Sequence, residues 1–159
     1  MAIEKTNFYT QNLNQFAPHR LRGEYLDWGL NAEVIEVMID KSQADPIYPG
    51  DALAIVPTST GKLKVKAAAA GDTIFGFALF NPKYATWKAG DILSCLRDGG
   101  VISEVTEAAI AAGAAVKYDP TDGSIVAAAA GEGNGIAMAN VAATAGGTLI
   151  PVLIQKPAL

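Results

Sequence analysis

The chain has 159 residues, half of them hydrophobic and 18% charged, with a net charge of −4. That length and balance predict one folded domain with a sizeable core and exclude a disordered or purely solvating chain. The single cysteine excludes an internal disulfide and suits a reducing compartment; the apolar runs fall short of the roughly 18 residues of a membrane helix, and no Lys/Arg cluster offers a nucleic-acid footprint.

The opening stretch "MAIEKTNFYTQNLNQF" has no apolar h-region, so no secretory signal is expected. Residues 1–30 are rich in Asn, Gln, Tyr and Phe and have no clean period. They read as an extended N-terminal arm. Its Phe8, Tyr9, Phe16, Tyr25 and Trp28 are the candidate partner-binding residues, packing on this domain or on another chain.

Residues 31–159 read as a single all-β domain. "AEVIEVMID" has the composition and length of a strand. "DALAIVP" follows a Pro49-Gly50 turn, and "KLKVKA" alternates apolar and basic residues, with its lysines on one solvated face. "TIFGFALF" is a buried-strand run, with Gly76 marking a bulge. "GDILSCL", "RDGG" and "VISEV" predict a hairpin turning at Asp98, Gly99 and Gly100. "TEAAIAAG" is too short for a stable helix and is expected to be a loop leading into a strand. "AAVKYD", "PTDG" and "SIVAA" predict a second hairpin, and "GIAMANV" and "GTLIPVLIQ" complete the set. Strands at this spacing predict a small β-barrel or a jelly-roll-like sandwich.

Residues 48–81 and 111–140 form a weak internal repeat. Gly50 aligns with Gly113, Pro57 with Pro120, Thr58 with Thr121 and Gly61 with Gly123. Residues 67–71 and 127–131 are both "AAAAG", and Gly76, Ala78 and Asn81 align with Gly135, Ala137 and Asn140. "WKAGDILSCL" shares the Gly-Asp opening of "YPGDALAIV". Gly-Asp supplies a turn, two apolar residues start a strand, and small residues let another backbone come close. The repetition answers a folding problem and places no reactive group.

The search for chemistry returns little. His19 is the only histidine and stands without partners of its kind. Cys95 sits among apolar neighbours with no base to activate it, so a core thiol is expected. "GEGNGIA" is followed by a strand pattern rather than the helix a phosphate cradle needs. Asp51, Asp72 and Asp91 each follow a glycine and read as turn caps. "DPTDG" lacks the length and terminal glutamate of a calcium loop. No catalytic residue, cofactor or metal is expected.

The order of units nevertheless resembles a known family. An aromatic arm is followed by "YPGDALAI", "GFALFN", "WKAGDILSCLRDGGVISEVTEAAIAAGAAVKYDP" and "GIAMANVAATAGGTLIPVLI". This resembles the cement, or decoration, proteins of tailed-bacteriophage capsids over about residues 45–155. The matching motifs are residues 101–105, Glu107, residues 111–116, Tyr118 with Asp119, and residues 135–153. The resemblance implies a non-enzymatic virion protein on the capsid surface, assembled in the bacterial host cytoplasm. Its partners would be the major capsid protein and itself, as a homodimer or homotrimer, with no nucleic acid and no membrane. Two other classes stay open. A carbohydrate- or ligand-binding β module would display Tyr84 and Trp87 as an aromatic platform. A trimeric all-β nucleotide hydrolase would need converging acids and Mg²⁺.

Overall fold

The structure, a computed structural model, describes residues 22–26, 32–58, 60–105, 109–119, 124–129, 135–137 and 148–154. The described strands are β1 (Tyr25–Leu26), β2 (Glu33–Ile39), β3 (Ala52–Val56), β4 (Lys64–Ala67), β5 (Ile74–Ala78), β6 (Ile92–Val105), β7 (Ala115–Asp119), β8 (Ser124–Ala127), β9 (Gly135–Ala137) and β10 (Thr148–Ile154). No helix occurs among the described residues, and the segment from Ala109 to β7 is a loop, as its shortness predicts.

The strands pair into two five-membered rings. In the first, β2 lies antiparallel to the first half of β6 and parallel to β4. β4 pairs with β3, β3 with β5, and β5 returns to β6. In the second, the remaining half of β6 pairs with β10, β10 with β9, β9 with β7 and β7 with β8. The ring closes where Val105 of β6 meets Ile125 of β8, again in parallel. Of the two architectures the strand spacing allows, the chain adopts the small barrel.

The rings are two copies of one plan, and the correspondence holds residue by residue. Leu53 opposite Ala67 corresponds to Val116 opposite Ala127, and the next three pairs of each hairpin follow in step. Leu53 opposite Gly76 corresponds to Val116 opposite Gly135. Ala78 opposite Cys95 corresponds to Ala137 opposite Val152, and Val37 opposite Leu93 to Ser103 opposite Ile150. The turns agree as well. Gly50 and Gly113 have φ of +86° and +85°. Their amides donate to Ala78 and Ala137 carbonyls, each at 2.7 Å. The sequence repeat is the centre of this unit, and β2 with the two halves of β6 and β10 extends it on both sides.

Alternation explains the walls. Along β2, Val37 and Ile39 point inward and are buried, while Val34, Glu36 and Met38 point outward. The first barrel is filled by residues such as Ile39, Leu53, Val65, Phe75, Trp87 and Leu93. The second is filled by Val101, Val116, Ile125, Ala137, Ile150 and Val152. A fully buried side chain of this kind contributes about 1.5–3 kcal/mol. The expected bulge is present: the β3–β5 register shifts between Leu53 and Ala54, leaving Phe75 as the extra residue beside Gly76.

The expected hairpin at Asp98, Gly99 and Gly100 is corrected by the structure. Residues 92–105 are one continuous strand, β6. A hairpin would have laid the two halves against each other. Instead the first half pairs with β2 and the second with β10. Gly99 holds φ at +132°, where a Cβ would also lie 3.1 Å from that of Ala32. The glycine lets the strand turn from one ring into the other without reversing. A Gly-rich turn signal and a glycine kink within a strand look alike in sequence.

The segment set apart by composition also reaches into the fold. β1 pairs with β6, Tyr25 opposite Val101 and Leu26 opposite Gly100. Leu26 is buried, and Gly23 receives a hydrogen bond on its carbonyl from the Phe80 amide at 2.7 Å.

Candidate functional site

The residues that carry chemistry in other proteins are structural here. Cys95 is fully buried in the first barrel, and burial pushes its thiol up to about 12, so no thiolate forms at neutral pH. Asp51, Asp72 and Asp91 cap three turns of one design. Their carboxylates accept the amides of Tyr48 at 2.8 Å, Ala69 at 2.9 Å and Lys88 at 2.7 Å. The preceding glycines hold φ of +86°, +88° and +89°. Burial raises the Asp51 carboxyl, against the opposing pull of the Tyr48 amide and Arg22. The Lys66 ammonium, 2.8 Å away, and the Ala69 amide hold Asp72 low. Asp40 falls to about 2, chiefly through the Ser42 amide, with Lys64 adding to it. Among the described residues no group of three His, Cys, Asp or Glu is placed to hold a metal. His19 and most of the "DPTDG" and "GEGNG" turns lie outside the described residues.

The aromatic platform is not assembled. Trp87 is 2% exposed, a core residue whose amide and carbonyl exchange hydrogen bonds with Ile47, both at 2.9 Å. Tyr84 is exposed, with the Lys83 ammonium 5.3 Å from its ring centre. Trp87 therefore plugs the core of the first barrel, and Tyr84 stands apart from it on the surface.

Of the candidate partner-binding residues, Tyr25 lies on β1 and is 37% exposed. Phe8, Tyr9, Phe16 and Trp28 lie outside the described residues. The sequence reading missed an apolar strip on the outer wall of the first barrel. Met38 on β2 stands opposite Ile92 on β6, and both are exposed, with Val34 further along β2. The signal was in "EVIEVMI", where the face opposite Ile35, Val37 and Ile39 carries Val and Met as well as Glu. A shallow cleft of about 320 Å³ lies between Arg22, Tyr48, Pro49, Phe80 and Ala85. Arg22 there is held 3.0 Å from Asp51.

The joint between the barrels is polar at one point and apolar elsewhere. Tyr118 lies on the inward face of β7, the face of Val116 and of Ile125 opposite it, and reaches the outer wall of the first barrel. Its ring meets Phe77 edge-on at 5.4 Å, and its hydroxyl accepts the Ala52 amide at 2.9 Å. Leu79 and Leu96 belong to the same cluster. An edge-on aromatic pair adds about 0.5–1.5 kcal/mol beyond area burial.

Two rings locked through a shared strand, with exposed apolar strips and turn-capping acids, define a structural β scaffold. Residues 19–155 match the family described as Structural cement protein (E217 gp24/Pam3 gp6), and the chain belongs to that family. It is accordingly a structural protein of the phage particle with a role in the capsid, and not an enzyme. A cement protein binds capsid proteins. The match begins at residue 19 and so takes in the end of the arm. Among solved structures the chain is similar to the head fiber gp8.5 N base of bacteriophage phi29. The TM-score is 0.53 at 14% identity, covering 80% of this chain and 98% of that one. At that identity the likeness is one of fold. No curated protein matches the chain.

Proposed function

We propose that the protein binds the outer surface of a bacteriophage capsid and clamps neighbouring major capsid protein subunits. Membership of residues 19–155 in the cement family carries this reading. The physics of the double barrel supports it. A clamp must transmit load without yielding, and ring-shaped pairing spreads load over many backbone hydrogen bonds. The two barrels are tied by β6 and by the Tyr118 joint, so they act as one stiff body. The arm, residues 1–30, adds reach. Its Phe8, Tyr9, Phe16, Tyr25 and Trp28 contact the shell or a sister subunit, in a homodimer or homotrimer. Aromatic side chains dominate interface energetics, which is why they are the residues proposed for contact. A net charge of −4 keeps the protein from competing for packaged DNA.

Cryo-electron microscopy of particles carrying the protein tests the reading. Density for the double barrel is expected over junctions between major capsid protein subunits. Density confined to a tail or fibre would contradict it.

A further inference from the structure

The two barrels differ in the backbone at one edge. In the second, β1 runs along β6. The Gly23 amide donates to the Ile102 carbonyl at 2.8 Å, and the Ile102 amide donates to the Glu24 carbonyl at 2.9 Å. Ile102 stands opposite Pro151, and its counterpart in the first barrel is Glu36, opposite Ser94.

The direction of the Glu36 backbone groups follows from its neighbours. The Ile39 amide turns to the Asp91 carbonyl at the β6 side, and the Asp40 amide turns to Val65 on β4. Backbone groups alternate sides along a strand. Those of Val34 and Glu36 therefore face the β4 side. Yet β4 reaches only Met38 and Ile39. Among the described residues, no strand lies along that side of residues 34–36. The side chains there are inviting: Val34 is 44% exposed, Met38 37%, and Ile92 opposite Met38 56%. Natural proteins usually blunt an open edge of this kind, and an uncovered one is a template for an added strand.

The path of β1 indicates what fills it. From Leu26 back to Arg22 the chain runs along β6 toward Glu104, and Arg22 Nε lies 4.0 Å from the Glu104 carboxylate. β2 pairs with the opposite end of β6. Arg22 is also held 3.0 Å from Asp51, and the Phe80 amide donates to the Gly23 carbonyl. Arg22 therefore sits on the β5 flank of β6, across β6 from β2 and its open edge, and the 21 residues before Arg22 start from there. They include Thr6, Phe8, Tyr9 and Thr10, a run of strand-favouring types. We propose that the segment before Arg22 of one copy of the chain adds as a strand to the edge of β2, at residues 34–36, of a second copy. This rests on the arm reading above and names the surface the arm takes.

Amide hydrogen exchange of the full chain at high and low concentration tests it, without shells. The amides of Val34 and Glu36 should be protected in the oligomer and lose protection on dilution, in step with the fall in mass. A synthetic peptide of residues 2–21 in excess should break the oligomer yet keep both amides protected. Glu36→Pro removes the donor that faces the open side and leaves the β6 ladder intact, so the variant should fold and stay monomeric. Should that variant fail to fold, the exchange and peptide results decide alone. Three outcomes overturn the proposal: protection that does not change with concentration, a folded Glu36→Pro chain that still assembles, or protection that appears only when capsid shells are added. Shell binding is measured separately by co-sedimentation. Its absence would overturn the clamp, not the arm exchange.

Discussion

At one register position the two barrels carry Ile55 and Tyr118. Both lie on the inward face of their strands, opposite Val65 and Ile125; Ile55 is 39% exposed, whereas Tyr118 is 9% exposed and holds the joint. At another, Glu36 is exposed and Ile102 is buried beside β1. Other inward positions match more closely, Leu53 with Val116, Val65 with Ile125 and Leu93 with Ile150. The duplicated plan thus fixes the turns and much of the interior, while single positions were free to diverge. One became an internal joint at Tyr118, and its equivalent, Ile55, remains partly a surface.

The largest effect expected from this comparison lies in the two equivalent glycines. A Cβ on Gly76 would sit 2.4 Å from Cys95 Sγ and 2.6 Å from the Leu96 carbonyl oxygen. The nearest atoms to a Cβ on Gly135 would be side-chain methyls, of Val116 and Val152 at 3.1 Å and of Ile154 at 3.3 Å. Gly76→Ala should therefore cost about 3 kcal/mol, because backbone cannot step aside, and Gly135→Ala about 1 kcal/mol. Urea unfolding of the two variants measures this, and equal losses would break the distinction.

Next comes the joint. Tyr118→Phe keeps the ring against Phe77 but leaves the buried Ala52 amide without its acceptor. The expected loss is about 1–3 kcal/mol. Ile55→Ala, at the same place in the exposed barrel, should cost about 0.5 kcal/mol or less. If the two cost the same, Tyr118 does not hold the barrels together.

Cys95 and Val152 are the equivalent inward residues of β6 and β10. Cys95→Ala should cost about 1 kcal/mol for the small volume removed. The native thiol should resist alkylation at pH 8, since burial keeps it protonated to about 12. Rapid labelling without unfolding would show that the first barrel opens locally.

The smallest effect is acid sensitivity. Asp40 and Asp72, both in turns of the first barrel, sit below the ordinary carboxylate value when folded. Their contribution is complete above the unfolded value, near 4, and is lost as pH falls from there toward 2. Over that window, exchange at the Ser42 and Ala69 amides should rise before exchange in the described turn at Gly113, which has Ala114 where the first barrel has Asp51.

Much of this was readable from residues whose chemistry is local. Gly-Asp turns, alternation in "KLKVKA", the bulge at Gly76 and the inert Cys95 all follow from neighbours in sequence. The repeat was visible where backbone geometry demands glycine, at Gly50 and Gly113 and at Gly76 and Gly135. It faded across β2 and the second half of β6, where "EVIEVMI" and "GGVISEV" share a wall position without sharing residues. Long-range pairing was not readable. Nothing near Gly99 says that its two flanks find β2 and β10 rather than each other. Tyr25 and Leu26 looked like arm because their partners, Val101 and Gly100, lie far along the chain. The outward strip at Val34, Met38 and Ile92 was masked by Glu36 in its midst.

Co-sedimentation of the purified full chain with expanded capsid shells of its phage tests the central claim most directly. The account predicts saturable binding at a fixed ratio to the major capsid protein, and bound shells that withstand heat or osmotic shock better than bare ones. A chain that stays in the supernatant, or binds without strengthening the shell, would contradict it.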